Sequence, residues 1–229
     1  MCGIAGMFGS GDGETVRAML SKLTHRGPDD EHWIARPDFA LGARRLSILD
    51  VAGGRQPMAN ERETIWAVQN GELYNYPKFR RRLRERGHKI HTRCDTEILP
   101  HLFEEHGADF VTRIDGMFAV AIWDEATKTG FLARDRVGKK PLYYHQRGGT
   151  LYFASEIKAL LAIPGFERRI NREALHHYLS FKHIPHPLSI FEGVSMLPPA
   201  HALIFRAGRE PELRRYWNLD FAGNDDFAG

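Results

Sequence analysis

Cys2 directly follows Met1 and leads into Gly3-Ile4-Ala5-Gly6. A small second residue permits removal of the initiator, after which Cys2 carries a thiol and a free α-amine. A thiol attacks as the thiolate, so a base must first take its proton. An α-amine with a pKa of about 7.7–8.0 is partly neutral near neutral pH and can serve as that base. It can later return the proton to a leaving group. Taken alone, a cysteine at position 2 also arises by chance, and a disulfide to Cys94 is an alternative. Only Met1 precedes Cys2, so a lipoprotein cysteine is not supported.

Four further segments carry chemistry. Arg45 stands in the otherwise apolar stretch Arg45-Leu46-Ser47-Ile48-Leu49. A guanidinium there needs an anionic partner, which is either a structural carboxylate or one clamped from a substrate. In Asn70-Gly71-Glu72, a side-chain amide and a glycine N–H on a tight turn can form an oxyanion hole; the plain alternative is a hairpin turn. Asp95, in Cys94-Asp95-Thr96-Glu97, can hold a substrate ammonium, cap a helix, or both. His25-Arg26-Gly27-Pro28-Asp29 places polar residues on a rigid loop, either for catalysis or for ordering the loop itself. Thiol, carboxylate clamp, ammonium partner and oxyanion hole together suit an α-amino acid with a reactive side-chain carbonyl. Glutamine is the obvious candidate.

The elements that must position these residues follow from periodicity. Residues 2–8 read as an apolar strand that puts Cys2 at the end of a sheet. Val16, Met19, Leu20 and Leu23 recur at helical spacing, and Gly27-Pro28 ends that helix. Residues 39–49 and 64–69 read as strands, the second closed by an Asn70-Gly71 turn. A basic helix starts near Pro77, with Asn75 as its cap and Phe79 and Leu83 on one buried face. Asp95 caps a helix running to Gly107, which Pro100 kinks or delays. Strands at 117–123 and 131–135 join around Lys128-Thr129-Gly130, and strands at 142–145 and 150–154 join around Arg147-Gly148-Gly149. Helices follow at 156–161 and, capped by Asn171, at 172–179, and a strand at 202–205. This pattern implies a layered mixed fold, sheets covered by helices.

Composition narrows the field. The chain has 229 residues, two cysteines and a net charge of +3. The charge is too slight to call for nucleic acid, and no nucleic-acid motif accompanies it. No apolar run is long enough for a membrane span. The cysteine count and the absence of an export signal favour the reducing cytoplasm. The basic run at 80–86 reads as the wet face of a helix. His183 and His186 lack supporting ligands nearby in sequence, so no metal site is expected.

The ordered motifs resemble the glutaminase domain of class II glutamine amidotransferases, which are N-terminal-nucleophile hydrolases. Within that class the chain most resembles the glutamine-hydrolysing asparagine synthetase type. The resemblance rests on Met-Cys-Gly-Ile-Ala-Gly at 1–6, His-Arg-Gly-Pro-Asp at 25–29 and Arg-Leu-Ser-Ile at 45–48. It continues through Asn-Gly-Glu-Leu-Tyr-Asn at 70–75, Asp-Thr-Glu at 95–97, Asp-Gly-Met-Phe-Ala at 115–119, and Arg-Asp-Arg-Val-Gly-Lys-Lys-Pro-Leu-Tyr-Tyr at 134–144. Phe-Ala-Ser-Glu-Ile-Lys-Ala-Leu at 153–160 closes it. The resemblance implies an α+β fold, a four-layer αββα sandwich. It implies Cys2 as nucleophile, Asn70 and Gly71 as the oxyanion hole, and Arg45 on the glutamine carboxylate. Asp95 and Glu72 would contact the substrate's polar end, and Leu46, Ser47, Ile48 and Leu49 would line the pocket.

The same resemblance implies a glutaminase domain over 2–215 and a linker at 216–229. The linker would lead to an ATP-dependent synthetase domain, joined in cis or supplied in trans. Its Ser-Gly-Gly-x-Asp-Ser motif does not occur in these residues. This chain would thus need no cofactor of its own, with ATP and magnesium held by that other domain. A homodimer is left open. Two alternatives stand beside asparagine synthesis: another carboxylate as the ammonia acceptor, or a non-catalytic interaction module of the same fold. Pro100 departs from the family pattern, one turn past Asp95.

Overall fold

The computed structural model describes residues 2–47, 50 and 53–220. In chain order its strands are β1 (Gly3–Phe8), β2 (Asp30–Arg36), β3 (Phe39–Arg45), β4 (Met58–Ala59), β5 (Ile65–Leu73), β6 (Gly116–Asp124), β7 (Thr129–Arg134), β8 (Tyr143–Arg147), β9 (Thr150–Ala154), β10 (Val194–Met196), β11 (His201–Arg206) and β12 (Glu212–Arg215). The helices are α1 (Gly13–Ser21), α2 (Tyr76–Glu85), α3 (Ile98–His106), α4 (Ile157–Leu160) and α5 (Arg172–Phe181). The strands pair antiparallel into two six-stranded sheets, ordered β10-β8-β9-β1-β3-β2 and β12-β11-β7-β6-β5-β4.

Alternation along the strands builds the layers, because successive side chains leave a strand on opposite faces. On β6, Phe118, Val120 and Ile122 pack with α2 and α3, whereas Ala119, Ala121 and Trp123 face the other sheet. On β1, Ile4 and Phe8 face the second sheet, while Ala5 and Met7 pack with Val16, Met19 and Leu20 of α1 and with Leu160 of α4. The result is helices, sheet, sheet, helices: the expected αββα sandwich. Between the sheets Phe8 stacks on Trp123 at 5.5 Å and tilts against Phe153 at 5.1 Å. Such aromatic pairs contribute about 0.5–1.5 kcal/mol beyond burial. β1 is a central strand of its sheet, between β9 and β3, so Cys2 stands at the end of an anchored strand.

Several boundaries differ from the expectation. The Asp12 carboxylate caps α1 by accepting from Glu14 N and Thr15 N. The helix ends at Ser21, and a separate 3₁₀ turn at Thr24–Arg26 leads to Gly27. Asn75 does not cap α2 through its side chain. Its amide instead ties to Arg113 O, Asp115 Oδ2 and Asp115 N. Phe79 and Leu83 are buried as expected, with the arginines around them mostly exposed. Asp95 does not cap a helix either: a 3₁₀ turn at Asp95–Glu97 precedes α3. Pro100 is the third residue of α3, where the backbone N–H has no intrahelical partner to lose, so it delays the helix without kinking it. Asn171 caps α5 through Ala174 N.

Asn70-Gly71 makes no turn. β5 runs straight through both residues, with Asn70 opposite Ala119 and Gly71 opposite Phe118. The pair reads locally as a hairpin signal, but the ladder with β6 overrides it. Glycine is required at 71 for a different reason: a Cβ there would collide with the Met117 carbonyl. The expected strand over 39–49 ends at Arg45, and Leu46 and Ser47 lie beyond it outside any strand. Ile48 and Leu49 lie outside the described residues, as does Met1.

Candidate active site

Cys2, Arg45, Leu46, Asn70, Gly71, Glu72 and Asp95 share one cavity of about 130 Å³. Gln56, Cys94, Thr96, Met117 and Lys140 complete its lining. Of the sequence-derived site residues, Ser47 does not line this cavity, and Ile48 and Leu49 fall outside the described residues.

The end of β1 is held by its carbonyl. Arg26 Nε donates to Cys2 O at 2.9 Å, while Arg26 Nη1 donates to Glu156 Oε1 at 2.9 Å. The surrounding donors and acceptors orient the Asn70 amide: its nitrogen donates to Cys2 O at 2.8 Å and its oxygen accepts from Arg26 Nη2 at 3.2 Å. Arg26 therefore bridges Cys2, Asn70 and Glu156. Burial pushes the Glu156 carboxyl up, but hydrogen bonds from Arg26, His25 and Lys158 carry it down to about 2. Asp29 Oδ2 accepts from Ser47 N at 2.8 Å and fixes the chain beyond β3. The contacts of His25-Arg26-Gly27-Pro28-Asp29 thus run to Cys2, Ser47, Asn70 and Glu156 and position these site residues, beyond ordering the loop itself. Cys2 Sγ lies 3.9 Å from Leu46 O, and both cysteines are free, so no disulfide joins Cys2 to Cys94.

The side of β5 away from β6 directs its N–H groups to side chains. Gln69 N donates to Gln56 Oε1 at 2.6 Å, and Leu73 N donates to Asp95 Oδ2 at 2.8 Å. Opposite Gly71, Phe118 gives its carbonyl to Asp135 N and its N–H to Asp135 Oδ2, not to β5. In an antiparallel ladder such a pair points its amides away from each other. The Gly71 N–H, two residues from both Gln69 and Leu73, therefore points off the β6 side, towards the cavity it lines. An amide nitrogen carries two N–H donors, and Cys2 O takes one of those on Asn70. The donors expected on a turn lie instead along a strand, β5.

At the other end of the cavity Arg45 and Asp95 are both buried. Arg45 Nη2 donates to Asp50 O at 2.7 Å, a packing made possible by Gly54, where any Cβ would collide with the guanidinium. Asp95 Oδ2 accepts from Gln69 Nε2 and Leu73 N, each at 2.8 Å. Burial raises the Asp95 pKa against those two bonds. Burial and the neighbouring Asp95 also push the Cys94 thiol up to about 11, which keeps it protonated. Glu72 stands exposed at the rim. Lys140, buried in the wall, has its pKa lowered by burial and by Arg26, while Asp135, Cys2 and Glu72 pull the other way. Gln56, Thr96, Met117 and Lys140 carry no site signal of their own in sequence.

Two helix-covered sheets with Cys2 at the end of a central strand have the architecture of N-terminal-nucleophile hydrolases. The chain belongs to the glutamine amidotransferase domain family, whose model matches residues 1–217. It is 38% identical over 234 residues to the glutamine-hydrolysing asparagine synthetase 3 of Bacillus subtilis, covering 99% of this chain and 38% of that protein. With asparagine synthetase 1 of the same organism it shares 34% identity over 228 residues, 96% of this chain and 36% of that protein. The chain thus spans well under half the length of these curated relatives. Among solved structures, the glutamine phosphoribosylpyrophosphate amidotransferase of B. subtilis superposes with a TM-score of 0.69 at 18% identity, covering 94% of this chain and 49% of that one. That likeness concerns the fold.

Proposed function

We propose that the chain hydrolyses glutamine to glutamate and ammonia, with Cys2 as nucleophile and its own α-amine as base. The reading rests on one observation: Cys2 opens into a cavity that also holds the Asn70–Gly71 strand edge, the Arg45 guanidinium and the Asp95 carboxylate. Arg45 binds the substrate carboxylate and Asp95 its ammonium, with Glu72 at the rim. Glutamine then lies with its side-chain amide at Cys2.

The α-amine takes the thiol proton, and the thiolate attacks the amide carbon. The carbonyl electron pair moves to oxygen, where the Asn70 amide and Gly71 N–H stabilise it. Collapse of this intermediate breaks the C–N bond, and the α-ammonium protonates the departing nitrogen as ammonia. Water, deprotonated by the same amine, attacks the γ-glutamyl thioester, releasing glutamate and restoring the thiol. Met1 must be removed first, because a peptide bond would consume the amine.

The ammonia serves an ATP-dependent synthetase domain, with asparagine formed from aspartate as the favoured reaction. ATP and magnesium belong to that domain, in the cytoplasm. Glutamate release from glutamine, read together with the N-terminal mass, tests the first step. Substantial glutaminase activity in Cys2→Ala, or an electrophilic glutamine analogue that fails to label Cys2, would overturn it.

A further inference from the structure

His101 lies on α3 and is fully buried, yet neither ring nitrogen has a hydrogen-bond partner. Leaving buried polar atoms unsatisfied costs about 1–3 kcal/mol, so a native site with this feature calls for a reason. Glu61, His88 and Glu104 surround His101, and one ligand atom from each of the four residues lies within 4.8 Å of the others. His101 and Glu104 are three apart on α3 and share a face. His88 follows the end of α2, and Glu61 sits between β4 and β5.

Two of the spacings, each through a different Glu61 oxygen, are near those of ligand atoms around a metal ion, within a set that spans up to 4.8 Å. Glu61 Oε1 is 3.4 Å from His88 Nδ1, and Glu61 Oε2 is 3.5 Å from His101 Nδ1. Tetrahedral zinc with bonds of about 2.0–2.1 Å separates its ligand atoms by about 3.3 Å. The outer contacts also fit. His88 Nε2 lies 3.3 Å from Glu105 Oε1, a carboxylate that can fix the ring for ligation through Nδ1. Arg86 holds Glu105 at 2.7 Å, Lys89 N donates to Glu61 Oε1 at 2.6 Å, and Asn60 Nδ2 donates to Glu104 Oε2 at 3.1 Å.

We infer that Glu61, His88, His101 and Glu104 form a structural site for a divalent transition-metal ion, zinc being the best match. Two carboxylates balance the charge of a divalent ion, and four protein ligands leave no open position for catalysis. The ion ties the β4–β5 connection and the end of α2 to α3, the helix that directly follows the Asp95 turn. In sequence, His183 and His186 raise a metal reading, and they lack support. The ligands proposed here come together from three separate segments, which sequence spacing does not reveal.

Zinc uptake by the Cys2→Ser chain, which removes the rival exposed thiol, tests the site. Expected are one tightly held zinc per chain after desalting, a thermal midpoint that rises with added zinc, and tetrahedral visible bands when cobalt(II) replaces it. His88→Gln and Glu104→Gln, both at accessible positions, should each weaken zinc binding at least about tenfold. Glu105→Gln should weaken it by about 10–100-fold. Absence of stoichiometric uptake, or uptake unchanged in both His88→Gln and Glu104→Gln, would overturn the proposal and leave a plain ion-pair cluster.

Discussion

The chain buries an arginine–aspartate set in two places, and the two behave differently. At the end of β7, main-chain groups hold both side chains of the pair. Arg134 donates to the carbonyls of Lys140, Leu197 and Gly138 at 2.7, 2.9 and 2.7 Å. Asp135 accepts from the N–H groups of Phe118, Val137, Lys139 and Lys140 at 2.9–3.2 Å. At Arg45 and Asp95 the side chains line a cavity instead, and burial raises the Asp95 pKa. The first set is closed on itself and shapes the wall that carries Lys140. The second lines the cavity, where the proposed function places a substrate with both an ammonium and a carboxylate.

Removing Asp135 should break this comparison most severely. Asp135→Ala strands two fully buried donors, Phe118 N and Lys140 N. At about 1–3 kcal/mol each, the loss is about 2–6 kcal/mol in denaturant unfolding. Asp95→Asn should lose far less, and an equal loss at both positions would erase the distinction. Asn70→Ala comes next, with glutaminase kcat down about 10²–10³-fold in a folded protein. Arg45→Lys should mainly raise KM for glutamine, about tenfold or more, because an ammonium cannot reproduce a bidentate clamp. An unchanged KM would make Arg45 structural, like Arg134.

Two smaller effects carry opposite signs of pH dependence. The folded pKa of Asp95 is raised, so its contribution to stability is present below the ordinary carboxylate range and lost as pH rises through the raised value. A bound ammonium reverses the preference, so KM for glutamine should fall as pH rises through that titration, and Asp95→Asn should flatten the profile. Glu156 is depressed from 4.5 to about 2, so its contribution is present above about 4.5 and lost as pH falls towards 2. Glu156→Gln should remove that acid-limb loss in pH-dependent unfolding. It should also slow glutamine hydrolysis modestly, because Glu156 steadies the Arg26 that holds Cys2 O.

Much of the fold and the site is legible in the amino-acid sequence. The continuous apolar run at 117–123 marks β6, the helical spacing of Val16, Met19, Leu20 and Leu23 marks α1, and Asn171 marks the start of α5. These are local patterns, and burial on a strand or helix face imposes them directly on the sequence. Cys2, Arg45, Asn70, Gly71, Glu72 and Asp95 are likewise identifiable by type, and the structure gathers all six around one cavity. Asn70-Gly71 shows the limit: a local turn signal yields to pairing with β6, which sequence does not display.

Sequence by itself determined the reagents, a terminal thiol with its amine and a set of groups suited to an α-amino acid. It also determined the periodicities that build helices and sheets, because those depend on neighbours along the chain. Only the tertiary structure decided how the reagents meet. It placed Arg26 on Cys2 and Asn70, set Gln56 and Asp95 against the β5 edge on either side of Gly71, and brought Lys140 into the wall. Each of these contacts joins residues far apart in the chain, where register and packing, not spacing, set the distance.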